Sequence, residues 1–395
     1  MATSASPSAV GIAEIEAAAR TIRGQVRETP VLPAREVGNR AGVPVSFKAE
    51  NLQRTGSFKT RGALNKVAAL SADELGRGLV AASAGNHAQA VAVAARSREA
   101  RALVVMPADA PLAKVEAVRG YGAEVRSVDG GYDDAAALAR KLASDDGMTL
   151  IPPFDDPLVI AGQGTIGLEI AAQAPQTATV VVPVGGGGLA AGVAVAIRAR
   201  LPGARVIGVL AERRTEGTIC DGIAIKRPGA VTQPLLDRCL DQLVTVGDDA
   251  VAEAMVLLLE RSKLVVEGAG AAPVAALLAD RFEVGDGPVC VVLSGGNVDA
   301  TRLTECIRMG ETSAGRRLVF STVVSDQPGE LARLLDEVAA AGANVVDVVH
   351  IREGVDLHVR ETGIRLVLQT DGHAHGQAVL DSVREQGFAA RVEGG

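Results

Sequence analysis

Three observations on the 395-residue sequence predict an α/β protein of more than one domain, built on mostly parallel sheets and closed by a ferredoxin-like unit. The chain is too long for one ordinary core. Short apolar strand-like runs alternate with longer alanine-rich helical patterns, as they do when helices cross between parallel strands. From Arg316 onward the order becomes strand, helix, strand, strand, helix, strand, the β-α-β-β-α-β unit.

The elements follow in chain order. The N-terminal "MATSASPSAVG" has neither the basic start nor the apolar middle of a signal peptide and reads as a disordered tail. "TGSFKTRGA", Thr55 to Ala63, opens a helix in which Phe58, Leu64, Val67 and Leu70 recur at helical spacing, with Ser57 as cap and Lys59 in the first turn. "GLVAASA" is a strand, followed by the helix "HAQAVAVAARS"; "ARALVVMPA" and "GAEVRSV" are further strands. "IPPFDDP", Ile151 to Pro157, crosses between two lobes. "TATVVVPV" leads into Gly185 to Gly188 and a helix from Leu189, and "ARVIGVLA" and "GPVCVVLS" continue the alternation. In the tail, "RRLVFSTVVS", the turn "DQPG", "ELARLLDEVAAAG", "ANVVDVVHIR", "ETGIRLVLQT", "HAHGQAVLDSVREQG" and "FAARVE" supply the six elements.

Composition excludes several classes of function. With 48% hydrophobic and 22% charged residues the chain has a globular make-up, and with 2% aromatics and no tryptophan its core falls to Ala, Val, Leu and Ile. A net charge of −7 with no basic block offers no footprint for nucleic acid or an anionic membrane. The uncharged run Thr177 to Ile197 has the length of a membrane span, yet Pro183 and four glycines interrupt it, so strand, turn and helix is the better reading. Cys220, Cys239, Cys290 and Cys306 show no CxxC spacing, which points away from a metal knuckle or a disulfide framework and toward a reducing cytoplasm.

Four segments can carry chemistry. A lysine at the positive end of a helix dipole is out of place by less than one pKa unit, so alone Lys59 is a solvated surface lysine; the functional alternative is a Schiff-base lysine. "SAGNHAQA", Ser83 to Ala90, is a strand-to-helix turn whose N–H groups suit a carboxylate, while simple helix capping explains Asn86 and His87 as well. "VVVPVGGGGLAAG" lets backbone wrap a phosphate at a helix N-terminus; it also fits the loose dinucleotide fingerprint, with Glu212 near the ribose position, which keeps a nicotinamide dehydrogenase open. "CVVLSGGNVDA" ends a strand at Ser294, which by itself reads as a strand-end cap rather than a cofactor ligand.

Jointly, "TGSFKTRGA", "SAGNHAQ", "PVGGGGL" and "LSGGNVD" resemble the threonine and serine dehydratases among the fold type II, tryptophan-synthase-like pyridoxal-phosphate enzymes, from about Gly11 to Gly310. "TICDGIAIKRPG" and "KLVVEGAGAA" are also similar to family segments, and "DQPGELARLL" with "GANVVDVVH" looks like the ACT domain attached to catabolic-type threonine ammonia-lyases. The resemblance implies two doubly wound three-layer lobes, a large one from residues 1–47 and 153–312 and a small one from 48–152, then an ACT domain over 316–395. It implies pyridoxal 5′-phosphate held covalently by Lys59, with Phe58 beside it, Asn86 on the 3′-oxygen, Gly185, Gly186, Gly187, Gly188 and Leu189 round the phosphate, and Ser294 on the pyridine nitrogen. Ser83, Ala84, Gly85 and His87 match the loop that grips the substrate carboxylate. Asp326, Pro328, Gly329 and Asn344 match positions that line an effector site between paired ACT domains; oligomerisation alone is the other reading of the tail.

The implied activity is β-elimination on threonine, and on serine, giving a 2-oxo acid and ammonia. 3-Hydroxyaspartate ammonia-lyase and serine racemase are the rivals in the same class. Ala84 stands where racemases carry a second serine as opposite-face acid or base, so weak racemisation is expected. Only "RRTEG" separates "ARVIGVLAE" from "TICDG", where relatives carry a longer segment that in some supplies a cation site. Glu212 matches its first carboxylate and no further ligand is recognisable, so no metal is expected. A catalytically silent, ACT-regulated binding protein would also fit that shortening. A homodimer or homotetramer is the assembly the resemblance implies.

Overall fold

The computed structural model describes residues 10–212, 217–224, 227–352 and 357–393. The chain forms two compact units, Met1–Asp299 and Ala300–Gly395. In the first, β1 (Val31–Pro33), β2 (Val45–Ala49), β3 (Leu79–Ala82), β4 (Ala102–Pro107), β5 (Glu124–Val128), β6 (Thr149–Leu150), β7 (Thr179–Pro183), β8 (Arg205–Ala211), β9 (Gln242–Val246) and β10 (Val289–Leu293) follow in sequence. Among the described residues they make two sheets, one in the order β1-β2-β10-β7-β8-β9 and one in the order β5-β4-β3-β6. Every pairing in both sheets is parallel except that of β1 with β2.

The strand sequences explain the layers. In the smaller sheet Leu79, Ala81, Val104 and Met106 join one core, beside the helices Lys59–Ala68 and Asn86–Arg96, while Val80, Ala82, Leu103 and Val105 join another on the opposite face, with Ala135, Ala139 and Leu142. Period-two side chains that are apolar on both faces require helices on both faces. In the larger sheet Val180, Val182, Cys290 and Val292 pack with Ile160, Ile166, Ala190 and Ala194 of the helices Pro157–Gln173 and Gly188–Arg200.

Those two helices pack against each other through glycine. A Cβ on Gly192 would meet the Ile160 carbonyl oxygen and stand 2.6 Å from the Gly164 nitrogen, both backbone atoms that cannot swing aside. Gly192→Ala is therefore expected to cost about 1–3 kcal/mol through forced separation of the helices. The measurement is the urea midpoint at unchanged slope, and an unmoved midpoint would refute the close-packing account.

In the second unit β11 (Arg317–Ser325), β12 (Asn344–Ile351), β13 (Glu361–Gln369) and β14 (Arg391–Val392) form an antiparallel sheet in the order β12-β13-β11-β14. Phe320, Ile364, Leu366 and Leu368 bury one face with Leu334, Val338, Val379 and Leu380 of the helices Glu330–Ala340 and His373–Glu385. The unit begins at Ala300, earlier than the 312–316 junction read from the sequence. The cause is the helix Ala300–Ser313, whose terminal Ser313 carbonyl lies 3.0 Å from the His373 ring nitrogen, and Thr370 Oγ1 donates to the Gly315 carbonyl at 2.6 Å. No described helix is long and apolar enough to cross a membrane.

Candidate active site

The helix Lys59–Ala68 starts where expected, but by a different device. Phe58 occupies the cap position in helical conformation, and the Ser57 hydroxyl caps nothing. Instead Ser57 bridges Gly295 in an isolated β-pairing, and its Oγ is buried without a protein partner. The Phe58 N–H donates to the Ser294 carbonyl at 3.0 Å and the Gly296 N–H to the Gly56 carbonyl at 2.8 Å. The lysine segment is thus stitched by backbone to the end of β10, which fixes where Lys59 begins.

Lys59 is half-buried, and its Nζ donates to the Pro153 carbonyl at 2.7 Å and lies 5.2 Å from the Phe58 ring centroid. Loss of water around it pushes the amine down to about 8, opposed by the Glu267 carboxylate. The sequence argument from the helix dipole alone gave a much smaller shift; desolvation is the larger effect. Pro153 ties the lysine to the glycine turn through the next residue, because Cβ atoms on Gly186 and Gly188 would run into Phe154.

That turn is buried throughout, from Gly185 to Leu189. Gly187 has φ +91°, a left-handed conformation that glycine adopts without strain, and it turns the chain into the helix Gly188–Arg200. No side chain caps this helix and no acidic residue stands in its first turn. Buried donors at the positive end of a helix, free of a competing carboxylate, fit a phosphate dianion. Thr232 Oγ1 donates to the Gly186 carbonyl at 2.7 Å, and Asp155 accepts from the Ala230, Val231 and Thr232 N–H groups, holding the turn from behind.

Asn86 does not cap its helix: Gly85 does, and the Asn86 amide reaches outward. Its Nδ2 donates to Glu267 Oε1 at 2.7 Å, and its Oδ1 accepts from Asn297 Nδ2 at 2.7 Å, which also donates to the Thr55 carbonyl at 2.7 Å. Ser294 is 2% exposed at the end of β10, one residue from Gly295. Lys59, Asn86, Ser294 and the glycine turn therefore converge. Ser83 accepts from the Gly85 N–H at 3.1 Å, making a tight turn with half-buried Ala84 and Gly85. His87 is buried, 2.8 Å from the Ile151 carbonyl, and burial pushes it down to about 3 with Lys59 adding to the shift; its ring is neutral and structural.

Glu267 is the residue that sequence reasoning missed. It lies in "KLVVEGAGAA", where a single carboxylate between an apolar run and a small-residue helix is the available signal. Burial pushes it up to about 7, against the Asn86 hydrogen bond and Lys114, with Asp221 raising it and Lys59 lowering it. Cys220, beside Asp221, is fully buried and its thiol is pushed up to about 12 by burial, which makes it inert packing. Glu212 follows β8 with its N–H on the Val246 carbonyl at 2.8 Å; its neighbours 213–216 lie outside the described residues, as do 225 and 226 of "TICDGIAIKRPG".

The tail positions are not brought together within one chain. Asp326 follows β11 and pairs with Arg352 at 3.1 Å, and Pro328 and Gly329 precede the helix Glu330–Ala340. Asn344 starts β12 and donates to Gln369 at 3.4 Å; Gln369 also faces Arg317, so Asn344 lies at the sheet end opposite to Asp326.

Comparison with known proteins agrees with this geometry. The family profile described as "Pyridoxal-phosphate dependent enzyme" matches residues 22–295. An L-threonine ammonia-lyase of Geobacter sulfurreducens is 41% identical over 96% of this chain and 98% of its own. One from Thermotoga maritima is 41% identical over 98% of this chain and 100% of its own. Among solved structures, maize serine racemase superposes with a TM-score of 0.71 at 33% identity, covering 76% of this chain and 97% of that one.

Proposed function

We propose that this chain, which belongs to the pyridoxal-phosphate dependent enzymes, is a threonine ammonia-lyase that converts L-threonine to 2-oxobutanoate and ammonia and also accepts L-serine. The observation that carries the reading is the 41% identity to L-threonine ammonia-lyases over nearly the whole chain. The convergence of Lys59, Asn86, Ser294 and an uncapped glycine turn gives that identity a chemical meaning. With such a site a nicotinamide dehydrogenase or a silent binding protein is set aside.

Gly185 to Leu189 would hold the cofactor phosphate, Asn86 its 3′-oxygen, Ser294 its ring nitrogen, and Lys59 its aldehyde carbon. When bound, pyridoxal phosphate supplies a sink for the electron pair left as the substrate Cα–H bond breaks. Lys59, with its amine lowered to about 8 by desolvation and so more easily deprotonated, takes up the α-proton at Nζ once substrate has displaced it. The Ser83–His87 turn offers N–H groups to the substrate carboxylate. The neutral Ser294 hydroxyl leaves the ring nitrogen without a full positive charge, which favours prompt loss of the β-hydroxyl over reprotonation. Ala84 presents no acid or base to the opposite face, which keeps racemisation slow. The protonated Lys59 amine returns its proton to the departing hydroxyl as water.

Purified protein given L-threonine is expected to release 2-oxobutanoate, and the absence of any 2-oxo acid would overturn the assignment. With L-serine, chiral chromatography is expected to find pyruvate forming faster than D-serine; the reverse would overturn the role of Ala84. The second unit supports assembly: exposed Val346, Val349 and Ile351 lie on the edge strand β12. Pairing two such units would supply Asp326, Pro328 and Gly329 from one chain and Asn344 from another to an amino-acid effector. Four buried cysteine thiols support a cytoplasmic home.

A further inference from the structure

Glu267 precedes the helix Gly268–Leu278 and takes no part in the steps above. Its backbone N–H donates to the Gly295 carbonyl at 3.0 Å, and its carboxylate lies over Gly295 where a Cβ would press against it, so the side chain sits close against the end of β10. The carboxylate accepts one Asn86 N–H, while the Asn86 oxygen takes the N–H of Asn297. Turning the Asn86 amide over would set oxygen against the carboxylate and nitrogen against the Asn297 nitrogen. Both contacts would be repulsive, so the pair of neighbours admits one orientation.

We propose that Glu267 is a positioning residue: it locks the Asn86 amide with one N–H on the carboxylate and the other kept for the 3′-oxygen of pyridoxal phosphate. The proposal rests on the assignment of Asn86 to that oxygen. The hold comes from the acceptor oxygen, and without an acceptor the amide loses its reason to present nitrogen to the cofactor.

The test is titration of the cofactor-free protein with pyridoxal phosphate, followed by the absorbance of the bound cofactor. Glu267→Gln keeps an acceptor and is expected to bind within about threefold of the parent, whereas Glu267→Met is expected to bind about tenfold or more weakly, as when a buried donor loses its acceptor. In an Asn86→Ala background, Glu267→Met should add less than about twofold, because its effect passes through Asn86. Parental binding by Glu267→Met, equal losses for Gln and Met, or an undiminished loss in the Asn86→Ala background would each overturn the proposal. Asn86→Ala binding like the parent would instead overturn the assignment of Asn86 itself, and the proposal with it. If Glu267→Met does not fold, the Asn86 side-chain amide of the unmodified chain decides, identified in nitrogen-15 spectra by its absence in Asn86→Ala. Slow exchange with solvent is expected, and fast exchange would overturn the lock.

Discussion

Lys59→Ala is expected to lower 2-oxobutanoate formation from L-threonine by about a thousandfold or more, since it removes both the covalent attachment and the base. Lys59→Arg should fare no better, because a guanidinium does not give up its proton near neutral pH. Added methylamine should restore part of the activity to Lys59→Ala and none to Lys59→Arg. Retention of more than about a tenth of parental turnover by Lys59→Ala would remove Lys59 from its role, since a lost base costs about a hundredfold at the least. The fold should survive. In cofactor-free protein the amine is held down to about 8 from an ordinary 10.5. Below pH 8 the parent therefore carries a buried charge that the unfolded chain carries more easily, and this penalty fades as pH rises from about 8 to 10.5. Lys59→Ala should lack that penalty, so its thermal midpoint should gain on the parent most at pH 7 and progressively less in alkali.

Arg61→Leu is expected to give the largest loss of stability, about 3–5 kcal/mol, because it strips the guanidinium from the fully buried Glu50 carboxylate. The Arg61 guanidinium is fully buried and donates through Nε and Nη2 to Glu50 at 2.9 and 2.8 Å and through Nη1 and Nη2 to Glu169 at 2.5 and 2.9 Å. Lys48 joins through Glu169 at 2.5 Å and the Thr29 carbonyl at 2.6 Å, and Thr29 also donates to Glu50. Burial pulls the Glu50 carboxyl upward, yet Arg61, Lys48 and the Thr29 hydroxyl together outweigh it and the net result is a lowered pKa. In the parent this contribution is present above the ordinary carboxylate pKa of 4.5 and is lost in acid. Without Arg61 the sign is expected to reverse, since a buried Glu50 left with only the Thr29 hydroxyl and the field of Lys48 favours its proton. The deficit of Arg61→Leu should therefore be greatest at neutral pH and shrink below about pH 5. Denaturant melts at several pH values measure it, and a pH-independent deficit would refute the account. Arg61→Leu with Glu50→Leu should recover part of the loss, as apolar replacement of a buried pair often does.

What the sequence discloses and what it conceals follow one division. Gly185 to Gly188 are legible because the strand, the turn and the helix are contiguous, and a phosphate cradle is a local object. The ferredoxin-like order of the tail is legible for the same reason. Glu267 is not, because its partner Asn86 stands 181 residues away and nothing in "VVEGAG" announces it. Arg61 reads as an ordinary helical arginine in "KTRGA", since Glu169 is 108 residues distant. Ser57 shows the converse error: its residue type suits a helix cap, but pairing with Gly295 places it elsewhere. The large shift on Lys59 was hidden too, because desolvation depends on what folds over the amine rather than on its neighbours in the chain.

The strand order β1-β2-β10-β7-β8-β9 has a consequence for how the chain is made. The place between β2 and β7 belongs to β10, which pairs Val289–Leu293 with Val45–Ala49 on one side and with Thr179–Val181 on the other. During synthesis the smaller sheet has all its strands once Leu150 has left the ribosome, whereas the larger one then has only β1 and β2, and after β7, β8 and β9 have followed it still has a gap at its centre. Two apolar strand edges wait there for a segment translated more than a hundred residues later. Emergence of Leu293, rather than of the glycine turn or the lysine helix, is the event that joins the halves of the larger sheet, and it delivers Ser294 in the same movement.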